Sequence, residues 1–190
     1  MKILVIGASG RTGKQVIKNL AGHNIIEFSG DIMDSEAVNL AVKGMDTVIS
    51  VVGYTKSSDQ MLQTIGIKNV VNAMNMHKVS RIISLTGTGV RMPNDKITIF
   101  DRVLNFGIKS IDPKRVKDGI MHTEYLQSSD VDWTVIRVLK LTNGEDKGDW
   151  KLTKNGPAKI FISRKSVAKA IATQINDVGY YKSSPIIAKI

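Results

Sequence analysis

An α/β fold, a doubly wound parallel sheet in a single domain, is predicted by three features of this sequence. Short apolar stretches alternate along the whole chain with segments of helical period, the pattern of βαβ units. Those stretches are apolar throughout, as strands covered on both faces are, and do not alternate apolar with polar. A glycine-rich turn, Gly7 to Gly13, joins the first stretch to the first helical segment.

The elements follow in order. Residues 2–6 form the first strand, and a helix runs from the glycine turn to about Leu20, with Gly13, Val16, Ile17 and Leu20 on one packing face. Ile25–Phe28 is a second strand; Asp34 then caps a helix through Val42, which Lys43 and Gly44 close. Asp46–Val52 is the next buried strand. A helix from about Asp59 to Met76 puts Met61, Leu62, Ile65, Val70 and Met74 on its apolar side. Arg81–Thr86 is another strand, and residues 87–113 read as a loop with a short helical pattern around Phe100–Phe106. A helix at about 114–128 leads to the strand Trp133–Val138. A short strand near Lys159–Ile162, a helix opened by Ser163 and a terminal strand at Ile186–Ile190 complete the chain. No repeat, low-complexity tract or linker divides residues 1–190, which read as one domain.

The composition fits a globular protein: 190 residues, 42% hydrophobic and 23% charged. With the first strand starting at Lys2 and no apolar run of membrane-spanning length, the expectation is a cytoplasmic protein without a membrane partner. The chain has no Cys, which excludes disulfides, a thiol nucleophile and a thiolate metal site, and no metal is expected. The formal charge of +10 comes from scattered Lys, with one modest cluster at Lys109, Lys114, Arg115 and Lys117. Only 5% of residues are aromatic, so the basic surface lacks the stacking groups of a nucleic-acid binder, and no nucleic-acid partner is expected.

The strongest chemical signal is Gly7-Ala8-Ser9-Gly10-Arg11-Thr12-Gly13 between a buried strand and an amphipathic helix. Gly7 allows the tight turn out of the strand, Gly10 lets the backbone approach a pyrophosphate, and Gly13 lets the helix pack closely on the sheet. The helix N-terminus adds unpaired N–H groups and a partial positive charge. Ser9 and Thr12 add hydroxyls, and Arg11 adds a cation at the rim. This arrangement predicts a Rossmann-type dinucleotide site.

GASGRTG, then GDIMD (Gly30–Asp34), VISVVG (Val48–Gly53), the Arg81 strand, DVDWTVIR (Asp130–Arg137), LTNG (Leu141–Gly144) and ISRKSVAKAI (Ile162–Ile171) occur in one order. That order resembles the NAD(P)H-binding, NmrA-like branch of atypical short-chain dehydrogenases/reductases, relatives of the biliverdin reductase B/flavin reductase group. The resemblance covers nearly the whole chain. It implies a Rossmann fold binding NADP or NAD, often with reductase activity toward flavins, quinones or conjugated carbonyls. It places Gly7, Ser9, Gly10, Arg11, Thr12 and Gly13 around the diphosphate and Asp31 and Ile32 beside the adenine. Val52 and Gly53 then lie along the ribose, and Thr86 and Thr88 near the nicotinamide.

Two departures qualify what the resemblance implies. Relatives carry a further strand and a basic loop between the first helix and the GD-x-x-D strand. Here Leu20-Ala21-Gly22-His23 runs straight into Asn24, so that about 20 residues, one βα unit on the adenosine side, are missing. Read from the residues alone, Ile25–Phe28 would be the second strand and Asp31 the acid that grips a ribose 2′-OH, which favours NAD. The resemblance instead leaves Arg11 as the 2′-phosphate cation, and its place at the helix start favours NADP.

The second departure is chemical. None of Tyr54, Tyr125, Tyr180 and Tyr181 has Lys four residues later, so the Tyr-x-x-x-Lys pair of standard short-chain dehydrogenases is absent. The catalytic candidates are Thr86, Thr88 and His122, with Tyr125 a further one. His122 lies in MHTEYL, which resembles the Met-His segment of the biliverdin reductase B group and implies a histidine able to bind or protonate substrate. Arg137, at the end of its strand, either contacts substrate or anchors a loop. Gly89–Pro113, with Pro93, Phe100 and Phe106, is long enough for a lid. Two functions stay open: a reductase acting on a small-molecule substrate, or a non-catalytic NAD(P)H sensor working through a protein partner.

Overall fold

The computed structural model describes residues 1–54, 61–87 and 89–190, with every side chain among them except those at 100, 101, 104, 105 and 108. A seven-stranded sheet runs in the order β2-β1-β3-β4-β5-β9-β7, where β1 is Lys2–Ile6, β2 Asn24–Phe28, β3 Thr47–Ser50, β4 Arg81–Gly87, β5 Asp132–Val138, β7 Trp150–Thr153 and β9 Ile186–Lys189. All neighbours pair parallel except β7 against β9. β6 (Lys140–Thr142) and β8 (Phe161–Ser163) make a separate parallel pair.

Alternation along β1 distributes the core. Ile3 and Val5 point into one cluster with Val16 and Leu20, from α1 (Arg11–Lys18) and the turn after it, and with Val167 and Ile171 of α6 (Arg164–Thr173). Leu4 and Ile6 point into the other, formed with α2 (Ser35–Val42), α3 (Leu62–His77) and α5 (Pro113–Gln127). Two fully covered faces are why the strands read as unbroken apolar runs. The expected doubly wound α/β architecture is therefore present in one body.

Capping chemistry read from the sequence recurs in the structure. Asp34 accepts from the Glu36 and Ala37 amides at 3.0 and 3.1 Å, and Ser163 accepts from the Ser166 amide at 3.0 Å. Gly44 follows α2 at φ +75°, a left-handed conformation that glycine adopts without strain.

The missing unit shows in the topology. The doubly wound order 3-2-1-4-5-6 has two strands beyond the first on the adenosine side; here β2 alone lies there, with Leu4 beside Ile26 and Ile6 beside Phe28. Ile25–Phe28 thus occupies the second-strand position, as the residues alone suggested.

Three details depart from the sequence expectations. The helical pattern at Phe100–Phe106 is part of a longer helix, α4 (Ile99–Ile111); Gly107, which weakens a helix interior by about 1 kcal/mol, hides its last turn from a propensity reading. β6 and β7 are short strands fixed by pairing with distant β8 and β9, which no local period reveals. The third helix starts at Leu62, and the expected first residues Asp59 and Gln60 lie outside the described residues.

Candidate functional site

β1 leads into a turn held by the Gly10 amide, which donates to the Gly7 carbonyl at 3.1 Å. Gly7 sits at φ +86°, and a Cβ there would meet the Val51 carbonyl at 3.0 Å. A Cβ on Gly13 would lie 2.1 Å from the Gly7 oxygen, so α1 seats directly on the loop. Gly10 is the N-cap of α1 and offers no capping side chain, and the first turn holds no acid. The first amides of α1, from Arg11 to Gly13, are therefore left for an anion. Ser9 and Gly10 are exposed and Thr12 is buried. A cradle that a Cβ would fill, at an uncapped helix start, fits a dinucleotide diphosphate.

A second arginine, absent from the sequence reading, belongs to this cradle. α1 and α6 both run back antiparallel to parallel strands and pack side by side, so their N-termini share one end of the sheet. The first residue of α1 is Arg11 and the first of α6 is Arg164. Desolvation, followed by the nearby positive charge of Arg11, lowers the pKa of Arg164. Arg164 donates to the neutral Asn143 Oδ1 at 2.7 Å. Among the described residues, neither arginine has an ion pair with a carboxylate.

The sheet order reverses between β1 and β3, the crevice where open α/β sheets bind ligands. Beyond it, at the C-terminal ends of β3, β4 and β5, opens a pocket of about 280 Å³ lined by Tyr54, Gln63, Thr86, Arg115, Gly119 and Leu139 among others. This is near the lower end of ligand pockets, roughly 300 Å³ and upward. Thr86 is 3% exposed, and among the described residues its hydroxyl has no partner. It faces Gly119, where a Cβ would stand 3.0 Å away; glycine keeps that wall open.

Tyr54 and Asp118 form the polar floor. The Tyr54 hydroxyl donates to Asp118 Oδ2, which also accepts from the Gln63 amide at 2.9 Å. Asp118 Oδ1 accepts from the Thr64 amide at 2.8 Å and from the Thr64 hydroxyl. The Asp118 residue is 0% exposed, and desolvation raises its carboxyl pKa against the lowering effect of the two amides. Arg115 lies 4.7 Å over the Tyr54 ring and pairs with Asp112 at 3.1 Å.

The other expected residues fall differently. His122 is 2% exposed, with Nε2 2.9 Å from Ser84 Oγ and, among the described residues, no partner at Nδ1. Desolvation lowers its pKa to about 4, so the ring is neutral near pH 7. It borders a cavity of about 10 Å³, with Ile32, Ser50 and Val52, and does not line the larger pocket. Asp31 is exposed and accepts from the Met33 amide at 2.9 Å. Ile32 is buried against α3, where a Cβ on Gly66 would meet its Cδ1 at 2.7 Å; it serves the core. Val52 offers its carbonyl to Gln63 Nε2 at 3.1 Å, and Gly53 is exposed. Tyr125 is 3.4 Å from Asn72 and does not line the pocket. Thr88 lies outside the described residues. Arg137 is an anchor: it pairs with Asp95 and donates to the carbonyls of Val90 and Ser184. The segment expected to be a lid contributes Gly89 and Val90 to the pocket, while α4 leaves Ile99, Val103 and Phe106 exposed.

Tyr54, Asp118, Arg115 and Arg164 were not singled out as site residues in the sequence. The one trace in the sequence is that Arg115 and Asp118 share one face of a helix, three residues apart.

The profile of the NAD(P)H-binding family matches residues 22–178. The chain belongs to that family. The match begins after the glycine loop, whose geometry supplies the anion cradle independently. No curated protein matches the chain in sequence. Among solved structures, the chain is similar to the oxidoreductase ylbE from Lactococcus lactis, with 19% identity and a TM-score of 0.80 over 100% of this chain and 91% of that one. ChuY, an anaerobilin reductase from Escherichia coli, shares 18% identity with a TM-score of 0.78 over 100% and 97% of the two chains. A short-chain dehydrogenase/reductase from Veillonella parvula, in complex with NADP, shares 17% identity with a TM-score of 0.78 over 99% and 94%. At these identities the likeness is one of fold, and the NAD(P) binding expected from the motifs agrees with the family. Among the described residues no helix is long and apolar enough to cross a membrane, and no group of three or more His, Asp or Glu is placed to hold a metal ion.

Proposed function

We propose that the protein is an NAD(P)H-dependent reductase of a small flavin, quinone or conjugated carbonyl. The observation that carries this reading is the pocket of about 280 Å³ at the C-terminal ends of β3, β4 and β5, with the Thr86 hydroxyl inside it unpartnered among the described residues. A buried hydroxyl without a partner costs about 1–3 kcal/mol, which a bound polar group would relieve. The amides at the start of α1, with Arg164, hold the diphosphate, and Thr86 orients the carboxamide end or the substrate oxygen. When bound, the reduced nicotinamide supplies a hydride, and orienting it against the acceptor is the main demand on the protein. NADP is favoured over NAD because Arg11 adds a cation that a 2′-phosphate requires.

One observation favours the sensor reading, the sheet that stops at β2 and shortens the adenosine side. A titration with NADPH and NADH, followed by steady-state oxidation of the bound nucleotide with flavins and quinones, decides between them. Tight NADPH binding with turnover is expected. Binding without turnover on any acceptor would favour the sensor, and no binding at millimolar nucleotide would sink both.

A further inference from the structure

We propose that Tyr54 is the proton donor of this reduction and that Asp118 positions and recharges it, a pair built between the loop after β3 and helix α5. The inference rests on the reductase reading and adds a residue to it. Reduction of a carbonyl or quinone needs a hydride at one atom and a proton at oxygen, and a well-placed donor is worth about 10²–10⁴ in rate. Of the four tyrosines, Tyr54 alone lines the pocket. Tyr180 is committed to the Leu152 carbonyl at 2.8 Å, Tyr181 lies against Arg81, and Tyr125 against Asn72. Among the histidines, His122 is shut beneath the pocket, His77 is 2.9 Å from Asn39, and His23 is absent from the lining.

The wiring on the Asp118 side supports a relay. Gln63 and Thr64 fix the carboxyl through two backbone amides and a hydroxyl, so it cannot swing away from Tyr54. While Asp118 is ionised, the Tyr54 proton is held in the bond to it. Once Asp118 is protonated, its O–H donates to Tyr54 Oη and the phenolic proton is released toward the pocket. The acceptor then gains a hydride at carbon from the reduced dinucleotide and a proton at oxygen from Tyr54. The C=O π bond and the Tyr54 O–H bond break; Tyr54 takes the Asp118 proton, and solvent restores that proton to Asp118. Arg115, 4.7 Å over the ring, favours the transient phenolate. The charged groups facing Tyr54 among the described residues are thus Asp118 and Arg115, with Asp112 paired behind Arg115. Burial raises the Asp118 pKa, which keeps its protonated form within reach at higher pH than an exposed aspartate would.

The test compares wild type, Tyr54→Phe and Asp118→Asn with NADPH and menadione across about pH 5 to 9, together with NADPH affinity by fluorescence. For Tyr54→Phe, kcat is expected to fall by about 10²-fold or more with NADPH affinity unchanged. Wild-type kcat should fall as pH rises through the Asp118 titration. In Asp118→Asn that limb should flatten, because the amide donates to Tyr54 at every pH. Undiminished kcat in Tyr54→Phe, or an unchanged pH limb in Asp118→Asn, overturns the relay while the reductase reading stands. A wild type that neither binds dinucleotide nor turns over overturns both.

Discussion

Arg137 and Asp95, 42 residues apart in sequence, form a two-pronged ion pair with Nη1–Oδ2 of 2.5 Å and Nη2–Oδ1 of 2.8 Å, their side chains 1% and 2% exposed. The same guanidinium donates to Val90 and Ser184 carbonyls at 3.1 and 2.9 Å. β5 is thereby stapled to the segment after β4, the segment that gives Gly89 and Val90 to the pocket. An arginine at the ligand end of a strand is here spent on holding the pocket wall.

Removing Asp95 would therefore cost far more than removing a surface acid. In Asp95→Ala the guanidinium stays buried without its counter-charge, a loss of about 3–5 kcal/mol. Urea unfolding should show it as a lower midpoint with a similar slope. A change below about 1 kcal/mol, the size of an exposed pair, would mean that water reaches Arg137 freely.

This pair also marks what a sequence can and cannot disclose. Strand and helix order, the Asp34 and Ser163 caps and the glycine cradle were legible because each rests on residues close in the chain. Arg137 was visible as a strand-end arginine, but its partner was not, since Asp95 sits in a segment with no period of its own. Tyr54 and Asp118 were hidden for the same reason. They meet only after β3, α3 and α5 pack, and Tyr54 has no Lys four residues later to draw attention to it. His122 misleads in the opposite direction: its motif resembles a pocket histidine, but burial beside Ser84 takes it out of contact with the pocket.

Arg11 and Arg164 should separate by cofactor. Arg164 comes from α6, on the side of α1 away from β2, so Arg164→Ala is expected to weaken NADPH and NADH alike, by about tenfold or more for one charge-assisted contact. Arg11→Ala should weaken NADPH more than NADH if its partner is the 2′-phosphate. Calorimetric titration of both nucleotides against both variants reads this directly. Equal affinity for NADPH in wild type and Arg164→Ala would remove Arg164 from the cradle.

The pH dependence of stability carries a signature of His122. Its folded pKa of about 4 lies below the unfolded value near 6.5, so the unfolded chain binds the proton first. The contribution is complete above about pH 6.5 and is lost as pH falls toward 4, up to about 3 kcal/mol. Asp118 acts with the opposite sign: its raised pKa means that acidification relieves a buried charge. The difference between wild type and His122→Gln isolates the histidine. Unfolding free energies measured at several pH values should converge as pH falls across this window, and parallel curves would show that His122 is solvated.

Gly119 offers a separation of stability from activity. It lies inside α5, where glycine is less favourable than alanine by about 1 kcal/mol, so packing on the pocket side must justify it. A Cβ there would stand 3.0 Å from Thr86 Oγ1 and 3.4 Å from Val90 Cγ2, directly in the pocket wall. Gly119→Ala should keep or slightly raise the melting temperature while lowering kcat/KM. Gly119→Leu, which fills more of a pocket of about 280 Å³, should lower kcat/KM by about 10²-fold, with nucleotide affinity reduced less. Turnover that survives Gly119→Leu would move the substrate away from Thr86 and with it the proton path through Tyr54.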